Sequence, residues 1–329
     1  MIGQGAFDAT LSPEMAALME RLAAAGPQQD PTLLPPTEGR ALSEEGNRRW
    51  NSDLPAMASA TDCRVEADAA LGAPGCRMRV LVPEERAAGA ILYVHGGGFA
   101  FCSPETHERC ARLLAAEAGL PVLLPDYRLA PENPYPSGLR DVVACLRAAF
   151  TATKDAGVVP GPLIVAGDSA GANLALAALL HEQREARRTP VAGALLFYGN
   201  YAMDFASPSY SAFENGPGLT RAKMQRYWAW YAAAGADISG DPLACPLAAS
   251  DEALAALPPL HLMAGGVDPL LSDTLNLHQR LQALGRKETV TVVPGVVHGF
   301  LQNTIDLAAA REALAAAGIT ARKMAAATV

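Results

Sequence analysis

Apolar and polar positions change their rhythm about a fifth of the way along the chain. In residues 11–25, LSPEMAALMERLAAA, apolar side chains recur at helical spacing, and Gly26-Pro27 stops the run. Residues 27–40 are rich in proline and polar groups and read as a loop, followed by a short helix over about 41–50 that ends near Trp50. From 62 to 82, two β-compatible runs flank Leu71-Gly72-Ala73-Pro74-Gly75, the pattern of a hairpin. Short apolar runs then alternate with amphipathic stretches. Strands are predicted at 90–95, 121–127, 163–169, 192–199, 260–266 and 288–295, and helices at 139–155, 172–187, 270–285 and 305–318. Short apolar strands separated by helices form a mostly parallel sheet covered on both faces. The fold class expected is therefore α/β, with a twisted sheet of about eight strands.

One stretch breaks this alternation. About 60 residues separate the strand at 192–199 from that at 260–266, where a parallel crossover needs only about a dozen. They include SYSAFENGPGLT and the aromatic helix AKMQRYWAWYAAAG. Long insertions beyond strand ends commonly act as lids. The organisation expected is an N-terminal helical segment, 1–55, and a main domain, 56–329, with an insertion at about 201–245.

Composition narrows the partners. The chain has 329 residues, half of them hydrophobic, and a formal net charge of −8, with no basic run. That balance argues against nucleic acid or an anionic membrane surface. Six cysteines form no CxxC pair, so no zinc or dithiol spacing is present. The first 22 residues lack a basic start, and Asp8 and Glu14 interrupt them, unlike a secretory signal. No window reaches ~18 uncharged apolar residues. Reduced thiols and a cytoplasmic location are expected, with no membrane span and no metal or organic cofactor.

The chemistry concentrates in three stretches. LIVAGDSAGAN (163–173) contains Gly167-Asp168-Ser169-Ala170-Gly171, a G-x-S-x-G between a predicted strand and a predicted helix. Such a turn holds a serine in a strained conformation above a sheet, and a Cβ on either glycine would collide with neighbouring backbone. A serine hydroxyl needs a base. Chains with this turn place the acid and then the histidine after the serine. His181, His261, His278 and His298 qualify by order; His298, in a loop after the last strand, is best placed. His261 reads as a packed strand residue, His278 as mid-helix, and His181 as solvent-facing. For the acid, Asp268 in LMAGGVDPLLSD follows its strand directly. Asp273 is the rival, and Asp268 also fits a helix cap before Pro269. The third stretch, HGGGFAF (95–101), offers bare backbone after a strand. With Ala170 it suits an oxyanion hole. A phosphate loop is disfavoured because Phe99-Ala100-Phe101 follows and no lysine does.

HGGGF (95–99), SPETH (103–107), DYRLAPENPYP (126–136), GDSAGANLA (167–175), LPPLHLMAGGVDPL (257–270) and HGF (298–300) occur in one collinear series. This series resembles the bacterial hormone-sensitive-lipase-like esterases (family IV) of the α/β-hydrolase fold. The resemblance implies Ser169 as nucleophile, His298 as base, Asp268 as orienting carboxylate, and Gly97, Gly98 and Ala170 as oxyanion donors. It implies that His95 braces the glycine loop, that Arg128 and Glu132 are structurally paired, and that residues 1–55 and the insertion form a helical cap. Ala172 stands where the family usually has glycine, and Leu271-Ser272-Asp273 where it commonly has an acidic pair.

The expected activity is hydrolysis of short- to medium-chain acyl esters through an acyl-enzyme. The alternatives are an amidase or peptidase with the same triad, or a non-catalytic binder on the same fold. The pocket wall is expected from Phe99, Phe101, Asp168, Tyr210, Phe213 and Trp228. Phe99 and Phe101 have a core reading as well, and the insertion's aromatic residues suit packing against the main domain equally. The β-branched stretch 288–294 reads as a sheet edge through which a homodimer would form.

Overall fold

The computed structural model describes residues 7–26, 29–186, 189–233 and 235–327. Pro27 and Arg187, at the ends of two predicted helices, lie outside the described residues. In chain order the elements are α1 (Pro13–Ala24), α2 (Pro36–Asn47), β1 (Ser59–Val65), β2 (Cys76–Val82), β3 (Ala90–Val94), α3 (Glu108–Ala118), β4 (Val122–Pro125), α4 (Ser137–Asp155), β5 (Leu163–Asp168), α5 (Ala170–Arg184), β6 (Val191–Phe197), α6 (Pro208–Ala212), α7 (Arg221–Tyr231), α8 (Asp251–Ala255), β7 (Leu260–Val267), α9 (Leu271–Ala283), β8 (Val290–Val297) and α10 (Ala308–Ala326).

The strands form one eight-stranded sheet in the order β1-β2-β4-β3-β5-β6-β7-β8. β2 runs antiparallel to both β1 and β4, and the remaining pairs are parallel. All five residues of β3 are buried, because helices cover both faces. Leu92 and Val94 enter the core shared with α4 and α5, while Ile91 and Tyr93 enter the core shared with α3 and α10. β3 lies between β4 and β5, so the winding reverses there, and a crevice opens outside the carboxyl ends of the strands. Val94 pairs with Gly167, Asp168 with Phe197, and Val267 with Val297. This register brings the glycine loop, the serine turn, Asp268 and His298 to one end of the sheet.

Several elements differ from the sequence reading. The proline-rich stretch holds a short 3-10 turn, Pro31–Leu33, and α2 starts at Pro36, five residues before the predicted helix. Proline at a first helical position has no N–H to lose and a φ already suited to the helix. α3 was given no element from sequence, although Cys110, Ala111, Leu114, Ala115 and Ala118 form its buried stripe. α10 runs through Gly318, where it was expected to stop. A Cβ at Gly318 would run into Glu117 and Ala118, so this glycine serves the close approach of α10 to α3.

The N-terminal segment is tied to the rest of the chain. Ser12 N–H donates to Gly295 O (2.9 Å) and Ala308 N–H to Glu14 Oε2 (2.8 Å). Arg40 of α2 donates to Ala100 O and Ala130 O, both at 2.8 Å, and pairs with Glu132. Arg128 pairs instead with Asp141 (2.8 Å). Arg128 and Glu132 are thus each ion-paired, but not with one another. Arg226 of α7 reaches Asp30 (2.6 Å), which joins the long β6–β7 crossover to the N-terminal segment. Among the described residues no helix is long and apolar enough to cross a membrane.

Candidate active site

Ser169 sits between the end of β5 and the start of α5 with φ 53° and ψ −123°, a conformation rare for a residue with a side chain. Such backbone costs on the order of 1–3 kcal/mol and persists only where its surroundings fix it. Here Ser169 N–H donates to Phe197 O at 2.9 Å. A Cβ at Gly171 would strike the carbonyl oxygens of Val94 and His95, and one at Gly167 would strike Gly171. The two flanking glycines therefore let β5 turn sharply into a fully packed helix.

His298, in the turn after β8, bridges Ser169 and Asp268. Its Nδ1 lies 2.8 Å from Asp268 Oδ2 and its Nε2 lies 2.9 Å from Ser169 Oγ. An ionised carboxylate only accepts, so Nδ1 carries the proton and Nε2 accepts from the Ser169 hydroxyl. Asp268 is completely buried, and its Oδ1 accepts the Leu270 N–H at 2.8 Å. The helix-cap reading does not hold: α9 begins at Leu271 with Leu270 at its N-cap position, so Pro269 precedes the helix and Asp268 Oδ1 closes only the turn before it. Asp273 lies apart from His298: its Oδ2 accepts the N–H groups of Tyr201 (2.7 Å) and Ala202 (3.2 Å). Burial pushes the Asp273 carboxyl up to about 8, against the opposing effect of those two bonds. His278 meets Glu288 O at 2.9 Å. His261 and His181 are half-buried away from the serine.

The glycine loop rests on a buried network. Asp168 Oδ1 accepts the Gly96 N–H (2.9 Å) and the Tyr93 hydroxyl (3.0 Å), and His107 Nε2 lies 3.3 Å from it. The Tyr198 hydroxyl donates to Asp168 Oδ2 at 3.4 Å, while the Tyr198 ring meets His298 edge-on at 4.9 Å. Burial by itself would raise the Asp168 carboxyl; the charge of His107 and bonds from His107, Tyr93 and Gly96 outweigh it, and the net shift is downward. His95 stacks on Tyr127 at 4.3 Å, and the Tyr127 hydroxyl donates to His95 O. Burial, then the nearby His107 charge, brings the His95 pKa down to about 3, so the ring is a neutral strut. Gly97 and Gly98 have φ of 116° and 59°. A Cβ at Gly98 would enter the Tyr227 ring, and one at Gly97 would strike Phe101 O. The N–H groups of Gly97, Gly98 and Ala170 donate to no protein acceptor among the described residues.

Gly97 and Gly98, with Ser169 and His298, face a cavity of about 340 Å³, whose lining does not include Ala170. Gly97, Gly98, Ser169 and His298 form its floor, and Met15, Leu18, Met224 and Tyr227 its cover. Of the residues expected in the pocket wall, Phe101 and Asp168 line it. Asp168 does so mainly as a strut, since its oxygens are engaged. Phe99, Tyr210, Phe213 and Trp228 do not line it. Phe99 stacks on Tyr231 at 3.8 Å and tilts against Trp228; Tyr210 packs on Phe205 and Phe213 on Phe7. Phe99 and Trp228 thus pack where the glycine loop meets α7, Tyr210 packs within the crossover, and Phe213 packs against the N-terminal segment. His107 and Tyr198, which hold Asp168, were not among the expected site residues. His107 lies within SPETH, but its partner Asp168 is far away in sequence. Among the described residues no group of three His, Cys, Asp or Glu side chains is arranged to hold a metal.

A doubly covered, mostly parallel sheet with a strained serine at a strand-to-helix turn, a histidine and a buried aspartate defines an α/β hydrolase. The family described as α/β hydrolase fold matches residues 91–302, and the chain belongs to it. The chain is 35% identical over 224 residues to carboxylesterase NlhH of Mycobacterium tuberculosis, covering 68% of this chain and 70% of that protein. It is 31% identical over 310 residues to the acetyl esterase of Salmonella typhi, covering 92% and 93%. Among solved structures, the ester-hydrolase EH1AB1 from the metagenome of Lake Arreo, in complex with a bipyridine phosphonate derivative, superposes with a TM-score of 0.87. Identity is 30%, over 95% of this chain and 99% of that one.

Proposed function

We propose that the chain is a carboxylic ester hydrolase. Ser169 attacks the acyl carbonyl and His298 takes its proton, then returns it to the leaving alcohol. Asp268 holds the imidazole tautomer, and water repeats the sequence on the acyl-enzyme. The N–H groups of Gly97, Gly98 and Ala170 meet the oxyanion, each contributing about 2.7–4 kcal/mol to the transition state. The observation that carries this reading is the unbroken line Ser169 Oγ, His298 and Asp268, with contacts of 2.9 and 2.8 Å, opening on a cavity floored by Gly97 and Gly98. The esterase relatives support the same reaction.

The modest cavity favours short to medium acyl chains. Residues 1–55 and the insertion at 201–245 act together as a cap, a reading supported by their shared lining of the cavity. The outer edge of β8, at the end of the strand order, supports a homodimer built along 288–294.

Hydrolysis of p-nitrophenyl acetate, butyrate, hexanoate and palmitate by the wild type and Ser169→Ala tests the proposal, with an anilide in parallel. The expected result is turnover of the shorter esters above palmitate and above the anilide. Ser169→Ala should lose about 10⁶-fold in kcat. Wild-type turnover by Ser169→Ala overturns the assignment; faster cleavage of the anilide moves it to an amidase.

A further inference from the structure

Beyond the cavity floored by Ser169 lies a second, outer chamber of about 790 Å³. The two chambers share lining residues from α1, from α2 and from the turn before α7. The charged side chains common to both are Arg49, from the N-terminal segment, and Lys223, from α7. They mark the neck where the two chambers adjoin.

The charge at this neck is unbalanced. Two carboxylates lie beside it, and each is held by another arginine: Asp30 by Arg226 at 2.6 Å and Asp306 by Arg21 at 2.5 Å. Arg49 donates to Asn303 Oδ1 at 2.7 Å and stands 3.6 Å from Asp306. Lys223 makes no ion pair among the described residues and acts on Asp30 only through space. Arg21, Arg49, Lys223 and Arg226 thus outnumber Asp30, Asp306 and Glu44, the last acting through space on Cys102 of the inner chamber, in a chain whose net charge is −8. Lys223 also occupies the first turn of α7, which carries no acidic residue, so the positive end of that helix adds to the same field. Within the inner chamber the one carboxylate of the wall, Asp168, is already engaged by Gly96, Tyr93 and His107. A cationic constriction with few opposing carboxylates concentrates and orients anions.

We propose that this neck selects esters whose acyl arm ends in a carboxylate, that is, monoesters of dicarboxylic acids. The ester carbonyl sits at Ser169 while the distal carboxylate lies between Arg49 and Lys223. The proposal rests on the ester-hydrolase reading above and adds the substrate class to it.

The test compares kcat/KM for mono-p-nitrophenyl adipate and p-nitrophenyl hexanoate, which share a six-carbon acyl chain and a leaving group. The wild type should favour the adipate, and the preference should shrink as sodium chloride is raised well above physiological ionic strength. In Lys223→Gln the adipate-to-hexanoate ratio should fall about threefold to fivefold. Arg49→Gln should lower it as well. Arg48→Gln removes an exposed cation that lines neither chamber and should leave the ratio alone. Hexanoate turnover with a ratio unmoved by both Lys223→Gln and Arg49→Gln overturns the proposal and leaves the ester-hydrolase reading standing. An equal fall in Arg48→Gln also overturns it, by assigning the effect to overall charge. No hydrolysis of either ester by the wild type would instead overturn the underlying reading.

Discussion

The floor of the cavity and its cover are held by different physics. On the floor, Asp168 gathers Gly96, Tyr93, His107 and Tyr198 inside the protein, and Asp268 gathers His298 and Leu270. Glycines at 96, 97, 98, 167 and 171 sit where a Cβ would strike backbone or a ring. The cover is fastened by partly exposed arginines, namely Arg40 to Glu132, Arg226 to Asp30 and Arg21 to Asp306, and by the Phe99–Tyr231 stack. Breaking a buried, charge-assisted network leaves groups unsatisfied, at about 1–3 kcal/mol each, and more where a charge is stranded. A half-exposed ion pair contributes about 0–1 kcal/mol. Ser169, His298 and Asp268 therefore sit on the part of the molecule that is costlier to rearrange, and the cover is the cheaper part.

The largest break in this contrast comes from Gly98→Ala. The new methyl group meets the Tyr227 ring at a left-handed backbone position and displaces a donor on the floor. Loss of one such donor lowers kcat by about 10²–10³-fold. Gly98→Ala combined with Tyr227→Ala removes the steric conflict and should recover part of the loss. Stopped-flow kinetics on p-nitrophenyl butyrate measures both, and a fully active Gly98→Ala would mean that the loop is not held as described.

A smaller effect is expected at the seam, where Asp273 of α9 anchors Tyr201 and Ala202 as the chain leaves β6. Its folded-state pKa, raised to about 8, lies above the ordinary carboxylate value. The folded chain keeps a proton that the unfolded chain has released, so this group makes stability fall as pH rises from about 4 to about 8. Above that range its contribution is flat. Asp273→Asn preserves the two accepted bonds and removes the titration. Urea unfolding between pH 5 and 8 should therefore show a shallower decline in the variant; identical slopes would contradict the shift. The smallest effect belongs to the cover. Arg40→Ala should lower stability by about 1 kcal/mol, or about 2 °C in Tm, with kcat for butyrate unchanged. A large fall in kcat would mean that the cover and floor are mechanically one.

Local pattern carried the sheet and the serine turn, because each depends on neighbours in sequence; Asp268 and His298, far from Ser169 in the chain, were picked out only by the order usual in chains with such a turn. G-x-S-x-G between a strand and a helix specifies its own geometry, and Gly167 and Gly171 are required by backbone contacts within or beside the turn. The oxyanion-hole reading of the glycine loop came from the bare backbone after a strand, and the family resemblance implied Gly97 and Gly98 as its donors. What escaped depends on distant partners. Glu132 finds Arg40 and Arg128 finds Asp141, and nothing in DYRLAPENPYP names either one. Asp168 lines the cavity as expected, but its bonds to Gly96, Tyr93 and His107 come from residues far away in sequence. Phe99 and Trp228 are large enough for a pocket, and they bury against each other's neighbours instead. Gly318 reads as a helix stop until the approach of α3 explains it.

The central claim is that Ser169 is the nucleophile driven by His298. Treatment with a p-nitrophenyl alkylphosphonate, followed by peptide mass spectrometry, tests it most directly. The account predicts one phosphonyl group per chain, on Ser169, formed in step with loss of esterase activity and absent from His298→Ala over the same time. Complete inactivation with Ser169 unmodified, or labelling of Ser169 at full speed in His298→Ala, would contradict it.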